Sequence, residues 1–328
     1  MNNKSYFFRR AVLALLVILS VLLTACGNTF GKKEMFKVGV LNLNPSLDSL
    51  VEGFKAGMVE QGYIDGQNVT YIYDGAVGDA AKLDAAAQKL VDADVDLILS
   101  ITTPATQAAQ RATAENGIPV VFGPVTDPVK AGVVQSLRSP GGNITGVSTY
   151  GSEVKRLQWE IVLKPEIKKI YVPYNPDASS TASLAVTQET ADQLGVQLIT
   201  QEASTPEEVS AAVASMPEDI QAIFILSDGF TESQSPVLIQ AAMDRRIPIS
   251  TTNLDLMESG VLLGFGHRPY NIGQQLARLG AQILAGTNPG DLPVETSEFF
   301  LVINLKTANA IGLDVPDTIL SQANEIIR

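Results

Sequence analysis

Val95-Asp96-Leu97-Ile98-Leu99-Ser100-Ile101-Thr102-Thr103-Pro104 is an apolar run that ends in hydroxyls and a proline. Val95, Leu97, Ile98 and Leu99 predict a strand over 95–100. Pro104 opens a helix, because a first-turn proline lacks only an N–H that the helix leaves unpaired anyway. Nineteen residues after Ser100, Pro119 sits in a second strand, Ile118 to Phe122. The same grammar returns later: Phe224-Ile225-Leu226-Ser227 leads, twenty-one residues after its serine, to Pro248 in Arg246-Ile247-Pro248-Ile249. Each copy reads strand, polar loop, helix, Ile-Pro strand. The match is short, and βαβ units share this grammar by themselves. Together with a restart of the pattern near residue 150, it favours two similar doubly wound lobes. The expected fold class is α/β, with two parallel-sheet lobes joined by a Pro/Gly-rich crossing at 139–147.

Working outward, strand and helix alternate almost throughout. Strands are expected at 36–41, 69–73, 145–148, 169–172, 197–200, 222–226, 247–250, 261–265 and 299–303. Helices are expected at 48–61, 79–93, 153–163, 180–195, 206–216, 235–245 and 270–285, with Thr205 as an N-cap and Gly62 as a stop signal. The tail from Asp317 to Ile327 reads as an amphipathic helix. Ala, Val, Ile and Leu dominate over aromatics, which suits buried parallel strands under helices.

The chain's one cysteine, Cys26, directly follows Leu23-Thr24-Ala25. Lys4, Arg9 and Arg10 precede an apolar run from Ala11 to Leu23, broken only by Ser20. That is the layout of a secretory signal, and thirteen residues are too few for a permanent membrane span. Leu23 to Cys26 resembles the lipobox of bacterial lipoproteins, which implies cleavage before Cys26 and lipid on its thiol. The plain alternative is a buried free cysteine. No internal disulfide is possible. Without residues 1–25, which carry three basic groups and no acid, 20 Lys and Arg stand against 35 Asp and Glu, a formal charge of −15. So acidic a body disfavours nucleic acid as a partner.

Ligands of open parallel sheets sit outside the carboxyl ends of the strands. In the first lobe those positions hold Asn42 to Asn44, Thr102-Thr103-Pro104-Ala105, and Val125-Thr126-Asp127-Pro128. In the second they hold Pro173-Tyr174-Asn175-Pro176, Ser227-Asp228-Gly229, and Thr251-Thr252-Asn253-Leu254-Asp255. Hydroxyls, amides and carboxylates dominate, which suits a small polar or zwitterionic ligand better than a phosphate. The Thr102–Ala105 loop, ahead of a helix N-terminus, is a natural carboxylate site. Asp127, Asp228 and Asp255 are candidate partners for an ammonium. Each residue taken singly also reads as a turn former or cap.

Catalytic patterns are missing. With His267 as the sole histidine, a multi-histidine metal site is excluded, and its plain reading is a loop residue near a lobe crossing. There is no nucleophile elbow and no P-loop. Asp92, Asp94 and Asp96 imitate the start of a calcium loop, but Leu97 replaces its glycine and Thr103 its glutamate. No cofactor and no metal are expected.

Thr103-Pro104-Ala105-Thr106-Gln107-Ala108, Phe122 to Val129, Ser139 to Ser148, Tyr174-Asn175-Pro176 and the ending Ile303 to Ala308 with Ile311-Gly312-Leu313 together resemble the TrpX-like substrate-binding lipoproteins of ABC importers. The resemblance spans essentially the whole mature chain. It implies the type I periplasmic-binding-protein fold, two α/β lobes joined by a three-stranded hinge. It implies a non-enzymatic receptor that captures an amino acid-type ligand, aromatic by preference, and delivers it to a permease. The alternatives are another small polar solute, such as a nucleoside or peptide fragment, and a non-transport surface or sensory lipoprotein. The resemblance implies Thr103, Pro104, Ala105, Thr126, Asp127, Tyr174, Asn175, Ser227 and Asp228 as ligand contacts; the strand-end reading adds Asn44 and Asn253, and Tyr270 and Phe230 are further aromatic candidates. The implied organisation is a signal peptide over 1–25 and a tether over 26–35. The N-terminal lobe takes 36–147 plus 267–300, the C-terminal lobe 148–266, and a hinge strand with tail 301–328. Lipid on Cys26 would hold the protein to the extracytoplasmic face of the cell membrane.

Overall fold

A computed structural model describes residues 35–328. The expected signal segment, Cys26 and nearly all of the tether lie outside the described residues. The first strand shows how the core forms. β1 (Phe36–Asn42) turns Val38 and Val40 into one apolar cluster and Leu41 into another on the opposite face. A strand apolar on both faces needs helices on both sides. They follow in alternation: α1 (Asp48–Glu60), β2 (Val69–Ile72), α2 (Leu83–Asp92), β3 (Leu97–Ile101), α3 (Thr103–Thr113), β4 (Val120–Val125) and β5 (Ile144–Ser148).

The second series runs α4 (Ser152–Leu163), β6 (Lys169–Tyr174), α5 (Ala178–Leu194), β7 (Gln197–Glu202) and α6 (Pro206–Ala214). It continues with β8 (Ala222–Phe224), α7 (Gly229–Ser233), α8 (Ser235–Arg245), β9 (Ile249–Asn253) and β10 (Leu263–His267). The chain then gives α9 (Pro269–Leu284) and β11 (Glu295–Thr296). It ends with β12 (Phe300–Asn304), α10 (Leu305–Ile311), α11 (Asp317–Leu320) and β13 (Glu325–Ile327).

Two sheets result, in the orders β11-β5-β4-β3-β1-β2 and β13-β12-β10-β9-β8-β6-β7. All neighbouring pairs are parallel except β10 with β12. The chain passes between the sheets three times, at 149–151, at Arg268 and at 297–299. The turn at 139–143 is not a crossing, contrary to the sequence reading. It feeds β5, whose Ile144 pairs with Val120 of the first sheet. The tail also differs. Only Asp317–Leu320 is helical, and Glu325–Ile327 pairs with Val302–Asn304 as an edge strand. Asn324 secures that strand by accepting the Leu301 N–H at 2.7 Å.

α9 returns from the second sheet to pack on α1 beneath the first. The two helices approach to backbone contact. A Cβ on Gly53 would lie 2.0 Å from the Tyr270 carbonyl oxygen, and one on Gly273 would lie 2.1 Å from that of Leu50. This contact anchors the crossing that follows His267. Replacing Gly273 with Ala adds about 1 kcal/mol of helix propensity, yet it forces backbones apart. A net loss of roughly 1–3 kcal/mol is therefore expected. It would be read as a lower urea midpoint at unchanged m-value; a stabilised variant would show that the two helices are free to separate.

Candidate functional site

The carboxyl ends of both sheets face one narrow pocket. From the first lobe come Leu47, Thr102 after β3, Pro124 and Thr126 at the end of β4, and Thr149 after β5. From the second come Ser227, Asp228 and Gly229 after β8, Glu232 of α7, and His267 closing β10. The space left is about 20 Å³, enough for one water. The lobes touch around it. Ser49 donates to Asp255 across the cleft at 2.6 Å, and a Cβ on Gly229 would stand 3.2 Å from that of Asn44.

Four buried polar atoms of this wall have no hydrogen-bond partner: Thr102 Oγ1, Thr149 Oγ1, Asp228 Oδ2 and His267 Nδ1. Buried polar groups are almost always paired, so four in residues lining one pocket make it the candidate recognition site. Thr102 is also held at φ 87°, ψ 157°, a backbone region that β-branched residues avoid. That twist lets its carbonyl accept from Thr106 N at 3.0 Å and Thr106 Oγ1 at 2.8 Å. α3 has no side-chain N-cap, so its first-turn N–H groups stand beside the Thr102 hydroxyl with the positive end of the helix dipole.

The second lobe supplies acids. Asp228 caps α7, its Oδ1 accepting from Thr231 N at 2.6 Å. Burial, then the charge of Asp177, push its carboxyl up to about 7, while hydrogen bonding from Thr231 and the nearby Ser180 hydroxyl pull it back; the Ser180 hydroxyl stops short of hydrogen-bond geometry with Oδ2. Burial also raises Glu232 to about 8, offset in part by the Asn253 amide at 3.2 Å.

Behind them lies Arg156 of α4, fully buried. It pairs with Glu153 at 2.5 Å, donates to the Ile225 carbonyl at 2.6 Å, and stacks 3.6 Å over the Phe224 ring. The second oxygen of Glu153 accepts from Ser183 Oγ and, at 3.0 Å, from Ser227 N. Glu160 of the same helix accepts from Ser250 at 3.0 Å and is pushed to about 8 by burial. His267 is lowered to about 4 by burial alone.

A wider cavity of about 510 Å³ adjoins the narrow pocket at Gly229. Leu43, Asn44, Asn175, Phe230 and Gln234 are among its lining residues.

Of the residues singled out from sequence, Thr126, Ser227 and Asp228 meet at the narrow pocket, and Asn44 and Asn175 line the wider one. Thr103 and Pro104 form the first turn of α3. Ala105 is packed into the first-lobe core. Asp127 is spent on the Lys130 N–H at 3.0 Å, and Tyr174 donates to Glu202 at 2.7 Å. Asn253 lies wholly buried behind Glu232. Tyr270 is exposed on α9 and lines neither cavity. Sequence reasoning passed over Thr149 and Glu232, and read His267 as a loop residue, whereas it ends a strand inside the pocket.

Residues 37–327 match the profile of the ABC transporter substrate binding protein family. The chain belongs to this family. It is 33% identical over 285 residues to the tyrosine-binding protein of Clostridioides difficile (strain R20291), covering 86% of this chain and 82% of that one. Among solved structures it resembles an ABC domain in complex with L-Trp from Streptococcus pneumonia, at 28% identity and TM-score 0.82, covering 90% of this chain and 100% of the other. It also resembles the ligand-free, open structure of a substrate-binding protein with adhesive properties from Clostridium difficile. There the identity is 27% and the TM-score 0.65, over 90% and 99% of the two chains. At nearly equal identity the ligand-bound relative superposes better, which agrees with the lobes being drawn together here. Membership implies a small-molecule ligand, a permease partner and an extracytoplasmic place of work. Among the described residues no helix is long and apolar enough to cross a membrane, and no cluster of metal-ligating side chains occurs.

The buried acids set a pH dependence. Glu160 sits near 8 when folded against an ordinary 4.5, so its ionisation opposes folding increasingly between pH 4.5 and 8. Glu160→Gln should therefore raise the thermal midpoint at pH 8 and leave it nearly unchanged at pH 4.5. Equal shifts at both pH values would show that Glu160 is ionised and well compensated throughout.

Proposed function

We propose that the two lobes close on a free amino acid with an aromatic side chain and deliver it to an ABC permease. The observation that carries this reading is the set of four unpartnered buried polar atoms around one narrow pocket. Their chemistry is divided between the lobes as a zwitterion requires. The first lobe offers hydroxyls and a helix N-terminus to a carboxylate. The second offers Asp228, with Glu232 behind it, to an ammonium. A nucleoside carries neither charge, and in a peptide the two charges lie too far apart for one narrow pocket. The side chain would run past Gly229 into the wider cavity, toward Phe230 and Leu43. Relatives named for tyrosine and solved with L-Trp support an aromatic ring there. No covalent step is required of the site; capture and release follow from hinge closure. The site residues carried in this reading are Thr102, Thr126, Thr149, Ser227, Asp228, Glu232 and His267, with Asn44, Asn175 and Phe230 along the ligand side chain.

The anchor is part of the same proposal. Lipid on Cys26 would hold the receptor near its permease and raise its effective concentration there. Cells fed an alkyne fatty acid should label the wild-type protein and fail to label Cys26→Ala. Equal labelling of both would remove the anchor.

Thermal unfolding against the twenty amino acids, nucleosides and small peptides tests the ligand class. Ligand at a hundredfold excess over its Kd adds about 2.7 kcal/mol, a rise of roughly 5 °C for a chain of this size. The rise is expected with L-tyrosine, L-tryptophan or L-phenylalanine; a rise confined to nucleosides or peptides would replace the cargo. Asp228→Asn keeps the helix cap and removes the charge. It should weaken amino-acid binding by about 10- to 100-fold without lowering the unfolding midpoint of the free protein.

A further inference from the structure

His267 is the chain's one histidine, and it occupies an unusual position. It is the last residue of β10, beside Asn253 of β9, and the next residue but one opens α9 in the other lobe. It therefore stands at a crossing and in the wall of the ligand pocket at once. Its side chain is 2% exposed, and Nδ1 has no hydrogen-bond partner.

The charged groups on the elements around it are known. α4, packed on β10, carries Glu153 and Arg156, paired with each other, Glu160, which accepts from Ser250, and the exposed Lys155; Glu153 also accepts from Ser183. The 3-10 turn after β9 carries Asp255, bonded to Ser49, and Glu258. Across the pocket stand Asp228 and Glu232 of α7. Beside it in sequence, Arg268 is paired with Glu325 of β13. None of these acids is hydrogen-bonded to the imidazole, and burial lowers its affinity for a second proton. An imidazolium in the closed cleft would thus be a buried cation without a counter-ion.

We propose that His267 is a ligand-contacting residue that must be neutral for the cleft to close, so that capture weakens as the surroundings acidify. The inference rests on the amino-acid reading of this pocket. A neutral imidazole offers one donor and one acceptor to the ligand. Opening the lobes hydrates the pocket wall and returns the ring to its ordinary range. Below pH 6.5 the open form is then protonated and must lose that proton to close. The sign is fixed: affinity is full above the open-form value and falls as pH drops toward the closed-form value.

The test compares binding of L-tyrosine, L-tryptophan and L-phenylalanine by calorimetry at pH 7.5 and pH 5.0, in wild-type protein without a histidine tag and in His267→Gln. Glutamine keeps a neutral donor and acceptor and does not titrate. With ring values of 6.5 in the open form and about 4 in the closed form, wild-type affinity should fall about 30-fold more than that of the variant. Contributions from Asp228 and Glu232 appear in both proteins and cancel in the comparison. Because there is a single histidine, NMR of its ring carbon proton reads the same quantity in the wild type, even if the variant fails to fold. Its midpoint should move from near 6.5 without ligand to below 5 with saturating ligand. Binding at pH 7.5 with equal pH profiles, or an unmoved ring midpoint, overturns this inference alone. No binding of L-tyrosine, L-tryptophan or L-phenylalanine at pH 7.5 overturns the functional reading and this inference with it.

Discussion

Arg156 has no contact with water, and the second lobe's share of the cleft is arranged around it. Stripping a guanidinium of solvent is expensive, and only good geometry with full hydrogen bonding compensates. Glu153, the Ile225 carbonyl and the Phe224 ring supply most of that compensation. Since one oxygen of Glu153 faces the guanidinium, the other is turned toward Ser183 and the backbone N–H of Ser227. The loop after β8 is thereby fixed from behind, and with it the aim of Asp228. One arginine stands against four buried acids, Glu153, Glu160, Asp228 and Glu232. Burial holds Glu160 and Glu232 largely protonated near neutral pH, and Glu153 is spent on Arg156, so Asp228, near 7, is the acid left to meet a cation.

The first lobe answers with the opposite character. Its contributions to the narrow pocket are Leu47, Thr102, Pro124, Thr126 and Thr149, none of them charged, and the dipole of α3 is its electrostatic element. Neither lobe alone can satisfy a zwitterion. On the proposed reading, a ligand with ammonium and carboxylate on one carbon is matched only when the lobes meet, and Gly229 permits that meeting. A Cβ there would stand 3.2 Å from that of Asn44 in the opposite lobe, which is tight.

The fold was legible because its signals are local and repeated. Pro104, the Ile-Pro strands and the apolar runs before Ser100 and Ser227 place both sheets, and loops after the strands face one cleft because parallel strands share a direction. Where signals were not local, the reading failed. Asp317 to Ile327 carries an amphipathic pattern, yet its last residues pair with β12, a partner more than twenty residues away. Thr102 differs from Thr103 through its backbone angle, which no residue type announces. Glu232 lies inside a five-residue helix, too short for periodicity to reveal. Glu153, Arg156 and Glu160 fall at spacings that usually mark a solvated helix face, and only tertiary packing buries them. His267, between a glycine-rich strand and a proline, has the local look of a loop.

If the proposed pocket is the site, the same unpaired atoms bear on its closure. A buried donor or acceptor without a partner costs about 1–3 kcal/mol. Thr102, Thr149, Asp228 and His267 each carry such an atom in the closed arrangement, and Thr102 adds backbone strain. In an open cleft water relieves the unpaired atoms at once. On the proposed reading, closing without ligand is opposed to the extent that these atoms stay unpaired, and a ligand that pairs them removes that opposition. A ligand shifts a two-state equilibrium only by its differential affinity for the two states. Here that difference is written into the pocket wall. On the proposed reading, polar groups that would be defects in an ordinary core would make closure conditional on cargo, so that the closed shape offered to a permease would report a filled cleft.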